Sequence, residues 1–206
     1  MFNLSFLKSI LLLLVVALAT SCSKDEPIIP EELETETYSN LYAPQTGGQG
    51  QPVGGAFTKF SFSRDTVVTD DSWDIAFRGT TILANGGTAI GIADEPTRTG
   101  TGAVSILLST LEDVLKAPEV STFKQDGPNT YAIPTGSGNG WYNYDGVTNI
   151  VSAIAGKVFV VKTHDGKYAK MEIISYYENA PATPDATSPS KYYTFKYVYQ
   201  PEGTSF

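Results

Sequence analysis

Lys157-Val158-Phe159-Val160-Val161-Lys162-Thr163-His164-Asp165-Gly166-Lys167-Tyr168-Ala169-Lys170-Met171-Glu172-Ile173-Ile174-Ser175-Tyr176-Tyr177 decides the fold. Two apolar, β-branched runs flank Asp165-Gly166, and Asp-Gly in that setting signals a two-residue type I′ hairpin turn, which needs φ > 0 at both central positions. With His164 opposite Lys167, Val158 and Val160 share a face with Ala169, Met171 and Ile173. Phe159, Val161 and Thr163 then share the other with Tyr168, Lys170 and Glu172. One greasy face and one mixed face describe a strand pair inside a larger β domain.

Outward from that hairpin the same period-2 pattern recurs. Lys191 to Gln200 alternates Tyr193, Phe195, Tyr197 and Tyr199 against Tyr192, Lys196 and Val198. Trp141-Tyr142-Asn143-Tyr144 reads as a strand ended by the turn Asp145-Gly146, and Glu178 to Ser190, with three prolines, reads as a loop. Upstream, Ala56–Ser63, Thr66–Thr69 and Ser72–Arg78 are short strands. In the last, Trp73, Ile75 and Phe77 point inward, leaving Asp74 and Arg78 as a solvent-side charge pair. Asn85-Gly86-Gly87 turns the chain between Thr81–Ala84 and Thr88–Ile92. The glycine-rich run Thr46–Gly55 lacks the Lys-Ser/Thr of a phosphate loop and reads as a plain connection. Ser109-Thr110-Leu111-Glu112 has the form of a capping box, so Thr110–Lys116 is the one predicted helix, stopped by Pro118. The fold class is therefore all-β, a single antiparallel domain with one short helix.

Composition agrees. The 206 residues are 41% hydrophobic with 19 Gly and 12 Tyr, enough for one sizeable core. Net charge is −8, which disfavours nucleic acid or an anionic membrane surface as partner. Residues 1–21 read as a leader: Lys8, an apolar run Ile10–Ala19, then small residues before Cys22. An apolar run of about ten residues is half of what spans a bilayer. Leu18-Ala19-Thr20-Ser21-Cys22 resembles a bacterial lipobox, which makes Cys22 the lipidated, palmitate-bearing first residue of the mature chain and its membrane anchor. As Cys22 is the only cysteine, no disulfide forms within the chain. Residues 22–37, with Glu31, Glu32, Glu34 and Glu36, read as a disordered acidic tether, and the domain is placed at 38–206. Ser23-Lys24-Asp25-Glu26 resembles the surface-export signal of Bacteroidetes lipoproteins, implying a cell-surface outer-membrane location.

Catalytic constellations are missing. The single histidine, His164, is placed at an exposed hairpin tip, so it is disfavoured as catalyst or metal ligand. Structural zinc lacks ligands, and no two acids sit in a recognisable motif. Met171 falls on the greasy face and reads as core rather than ligand. A binding protein is expected, not an enzyme.

The order of Phe60-Ser61-Phe62-Ser63, Trp73-Asp74-Ile75-Ala76-Phe77, Trp141-Tyr142-Asn143-Tyr144, Lys157–Val161, Asp165–Met171, Ser175-Tyr176-Tyr177 and Tyr192–Tyr199 resembles the HmuY family. That resemblance implies an all-β outer-membrane lipoprotein that captures haem b or a related porphyrin and delivers it to a TonB-dependent receptor. It also implies two axial His or Met ligands, one just after the strand matching Trp141–Tyr144 and one in the segment before it. Here the first place reads Asp145-Gly146 and the second lies within Ser121–Tyr131, with neither His nor Met. A tyrosine phenolate is another axial type, so Tyr142, Tyr144 and Tyr131, with Asp145, are the haem-binding candidates. The alternative is a surface lipoprotein on this scaffold that binds a glycan or a protein partner.

Overall fold

The computed structural model describes residues 33–206. The leader, Cys22 and the tether up to Glu32 lie outside the described residues. In chain order the strands are β1 Glu36–Tyr42, β2 Thr46–Gly48, β3 Gln51–Gly54, β4 Thr58–Ser61, β5 Thr66–Val68, β6 Ile75–Arg78, β7 Thr81–Ala84, β8 Ala103–Leu108, β9 Tyr142–Asp145, β10 Ile150–Ala153, β11 Lys157–Lys162, β12 Tyr168–Tyr177 and β13 Ser190–Gln200. A five-stranded sheet runs β1-β13-β12-β11-β8 and a four-stranded sheet runs β5-β4-β6-β7, with every pair antiparallel. The pairs β2–β3 and β9–β10 form separate hairpins. The all-β expectation holds.

The two sheets pack face to face. Phe60, Phe62, Ile75 and Phe77 from the smaller meet Phe159, Val161, Met171, Tyr193, Phe195 and Tyr197 from the larger in one buried cluster. Ring centroids sit 5.2 Å apart for Phe60 and Phe195 and 4.8 Å apart for Phe77 and Tyr193. The alternation read in Tyr193, Phe195 and Tyr197 is what aims these rings inward. Each sheet also buries its outer face. Val158 and Val160 pack under Leu111, Val114 and Ala117, while Trp73, Ala76 and Leu83 pack under Phe57, Val68 and Ile90. Hydroxyl and indole groups tie the layers together at their polar edges. Tyr193 donates to Gly79 O (2.8 Å), Tyr197 to Asp65 Oδ1 (2.7 Å) and Trp141 Nε1 to Thr80 O (2.9 Å).

The structure corrects the hairpin register by one residue. Phe159 lies opposite Met171 and Val161 opposite Ala169, so Phe159 and Val161 share the inner face with Met171, and Val158 and Val160 turn outward. The cause is the turn. Gly166 N–H donates to Thr163 O and Thr163 N–H to Lys167 O, and only Gly166 takes a positive φ (+88°). That is a three-residue loop, a type I turn followed by a left-handed glycine, which shifts the pairing and flips every side chain on one strand.

Five local readings also differ. Thr110–Lys116 is a turn, not a helix. The Thr110 hydroxyl does accept the Asp113 N–H (3.2 Å), but the Lys170 ammonium takes the carbonyls of Leu111 and Val114 (2.8 and 3.0 Å), which a helix would need for its own ladder. Thr88–Ile92 forms no strand because Ile90 and Gly91 give their N–H groups to the Glu95 carboxylate (3.0 and 2.8 Å). The glycine-rich run is the β2–β3 hairpin rather than a plain connection. Asp74 and Arg78 are buried, 1% and 3% exposed, and do not pair with each other. The first strand starts within the expected tether, with Glu36 and Thr37 laddered to Tyr197 and Lys196.

Candidate functional site

The β9–β10 hairpin carries three of the four candidates. Trp141, 1% exposed, anchors its root among Tyr142, Tyr176 and Tyr193, with centroids 4.9, 5.5 and 5.0 Å away. Val151 N–H donates to the Tyr177 hydroxyl at 2.9 Å, fixing the return strand to β12. At the tip, Asp145 Oδ1 accepts the Val147 N–H and Oδ2 the Thr148 hydroxyl, both at 2.8 Å. This is the side-chain turn that Asp favours, and those bonds hold its carboxyl below the usual carboxylate range.

Cross-strand pairing divides the hairpin into two faces. Tyr142 lies opposite Ala153 and Tyr144 opposite Val151; Asn143 lies opposite Ser152 and Asp145 opposite Ile150. The second face lines an open cleft of about 490 Å³ made by Asp145, Thr148, Ile150 and Ser152 with Pro184, Asp185 and Ala186 of the β12–β13 loop. Asp185, like Asp145, accepts hydrogen bonds from its own turn, here from Thr187 N–H and hydroxyl at 2.8 and 2.7 Å, which lower its carboxyl pKa. The cleft therefore offers two ionised carboxylates, two hydroxyls and an apolar floor. Tyr142 and Tyr144 belong to the opposite face. Tyr142 is half-buried against Trp141, and Tyr144 is half-exposed, its hydroxyl donating to Asn149 Oδ1 at 2.6 Å.

Tyr131 stands elsewhere, in a second open cleft of about 500 Å³ with Gln45, Val53, Arg78, Thr80 and Ile92. Burial pushes its phenol up, against the pull of Arg78, so phenolate ligation there works against the site. The structure thus separates Tyr131 from the hairpin candidates and divides the latter between two faces. The loop residues Pro184 and Asp185 had no sequence signal beyond a proline-rich excursion.

His164 is not an exposed tip residue. Its Nδ1 lies 2.8 Å from Asp74 Oδ1, and its backbone N–H donates to the same oxygen at 3.0 Å. Asp74 Oδ2 accepts the Phe62 N–H at 2.8 Å. Burial raises the Asp74 carboxyl, while these donors pull it down. Asp74, His164 and Asp165 each bring a ligand atom within 4.8 Å of the others. Both Asp74 oxygens already serve N–H donors and Asp165 Oδ1 accepts the Thr163 hydroxyl at 2.6 Å, so the group works as a latch from β6 to the β11–β12 turn. Met171 is fully buried in the central cluster, paired with Phe159.

The family model for the HmuY protein matches residues 55–197, a span that takes in β4 through β12 and most of β13. No curated protein matches the chain. Among solved structures, the chain is similar to a protein of Bacteroides vulgatus named as HmuY-like and heme binding, at 16% identity, with 82% of this chain and 93% of that one covered and a TM-score of 0.47. A Bacteroides fragilis structure named as a lipoprotein gives 16% identity, 84% and 94% coverage and 0.47. The apo HmuY analogue of Tannerella forsythia gives 14%, 83%, 97% and 0.47. With the smaller sheet, all of the larger but β1 and the end of β13, and the β9–β10 hairpin inside the matched span, the chain belongs to the HmuY family.

Proposed function

We propose that the chain binds haem b or a related porphyrin as a surface lipoprotein of iron and haem acquisition, with delivery to a TonB-dependent receptor. The observation that carries this reading is the family match over residues 55–197. Of the candidates, Tyr144 is best placed for iron. It is half-exposed, and its hydroxyl is held by a single neutral acceptor, whereas Tyr131 sits where burial favours the phenol and both Asp145 oxygens serve their turn. Aromatic walls and one phenolate would then replace the His or Met pair.

Titrating hemin into a soluble chain beginning at Ser23 is expected to give a shifted, saturable Soret band. Tyr144→Phe weakens binding about tenfold or more, a loss of roughly 1.4 kcal/mol, and Tyr142→Phe weakens it less. A spectrum identical to free hemin rejects the reading.

The acid-lined cleft beside Asp145 favours a second reading, a glycan ligand. Carboxylates and hydroxyls beside an apolar floor suit sugar hydroxyls and their C–H faces, and two ionised acids repel porphyrin carboxylates. An oligosaccharide array probed with the same chain, silent to hemin, would favour it. The anchor has its own test: Cys22→Ser is expected to move the protein from the membrane to the soluble fraction or to block its processing, and unchanged partitioning and processing would refute lipidation there.

A further inference from the structure

Arg78 is a buried cation whose charge is met only through space, by Asp94 and Glu95, with no carboxylate in hydrogen-bond contact among the described residues. It ends β6, is 3% exposed, and makes no ion pair among the described residues. Its Nη1 donates to the carbonyls of Gly55 (3.1 Å) and Ala93 (2.5 Å). The Phe57 ring lies 4.2 Å from the guanidinium carbon and covers one of its faces. That arrangement fixes the plane of the group but leaves one long edge unused. Nε is buried without a partner, and Nη2 makes no hydrogen bond among the described residues. The nearby Asp94 does not close the gap, since its Oδ2 accepts the Gly55 N–H at 2.8 Å. A guanidinium stays charged, and a buried charge whose counter-charges are held at a distance is costly to the fold, the more so when one of its N–H groups is unsatisfied.

The same residue lines the second cleft, whose walls include the apolar Val53 and Ile92 and the hydroxyl groups of Thr80, Thr135 and Tyr131. We propose that this cleft is a ligand site for a small monocarboxylate with an apolar body, one oxygen taking the free Nη2 group of Arg78. A guanidinium N–H gives a carboxylate oxygen a charge-assisted hydrogen bond, and with Asp94 and Glu95 already near the group a second negative charge, as on phosphate, is disfavoured. The apolar walls receive the remainder of the ligand. This site shares no residue with the cleft beside Asp145 and does not depend on the porphyrin reading.

The test uses the ¹⁵N-labelled chain from Ser23 onward and watches the Arg78 Nε–H resonance, identified by its loss in Arg78→Lys or, should that variant not fold, by through-bond assignment in the wild type. Sodium benzoate is the probe, with benzamide as its neutral isostere and inorganic phosphate as the competing anion. The expected result is a saturable shift of that resonance with half-saturation at about 1 mM benzoate or below, and no comparable shift with benzamide or phosphate. No shift with benzoate, or shifts of equal size with benzamide or phosphate, overturns the proposal. Hemin binding is read separately from the Soret band, so either proposal can fail alone.

Discussion

Replacing Asp74 by alanine is expected to lower unfolding free energy by about 3–5 kcal/mol, the range for breaking a buried charged cluster by removing one member. The carboxylate collects three N–H groups from two distant pieces of chain: Phe62 N–H, His164 N–H and His164 Nδ1. Alanine leaves the two backbone donors without partners, at about 1–3 kcal/mol for each buried group. His164→Ala removes only one of the three bonds, and the His164 side chain is 24% exposed, so its cost is expected near 1 kcal/mol. Urea unfolding of both single variants and the double variant reads this directly. If the double costs the full sum of the singles, the His164 side chain is not coupled to Asp74, and if the two singles cost the same, the backbone donors add nothing to the latch.

That latch marks where sequence reading stopped. The strands were legible because inward rings on a two-residue period, as in Tyr193, Phe195 and Tyr197, have no other efficient way to be buried. The register of the central hairpin was not, since Asp165-Gly166 serves a two-residue type I′ turn and a three-residue turn equally well. Hydrophobic pattern does not arbitrate when both faces are buried: Val158 and Val160 find cover under Leu111 and Val114 as well as Phe159 and Val161 do in the central cluster. Asp74 and His164 are 90 residues apart, and local charge spacing pointed instead to Arg78. The helix failed for a similar reason. Its cap forms at Thr110, but an ammonium from β12 claims the carbonyls that would have propagated it.

For the candidate site the division is the same. The strand with Tyr142 and Tyr144 was readable from Trp141 onward, and its faces followed from alternation, but its return strand Ile150–Ala153 carried no reading. What stands opposite Asp145 was not readable, because Pro184 and Asp185 arrive there through a loop whose path is set by its two ends on β12 and β13. Arg78 escaped for the reason Asp74 did: a charge in a strand looks solvated until the segment that covers it is in place.

Trp141→Ala is expected to cost about 3–5 kcal/mol, the range for emptying a fully buried large aromatic site. Trp141 fills the space between the hairpin root, Tyr176 of β12 and Tyr193 of β13, while its Nε1 reaches across to Thr80 O at 2.9 Å. One side chain thus touches the hairpin, the larger sheet and the β6–β7 turn. Trp141→Phe separates the parts: it keeps most of the ring contacts and drops the hydrogen bond, so about 1–3 kcal/mol should be lost, much of it from the Thr80 carbonyl left without its donor. The hairpin is otherwise held by the packing of Tyr142, Ile150, Val151 and Ala153 against the central cluster and by a small number of polar bonds. Val151 N–H to the Tyr177 hydroxyl and the Lys157 ammonium to Gly140 O (2.7 Å) are its principal polar ones. Amide exchange in β9 and β10 should therefore accelerate in Trp141→Ala more than in the β11–β12 core, and hemin binding, if Tyr144 supplies the ligand, should weaken with it. A loss below about 1 kcal/mol would fit a surface residue rather than a buried anchor, and would place the hairpin's support in its own ladder instead.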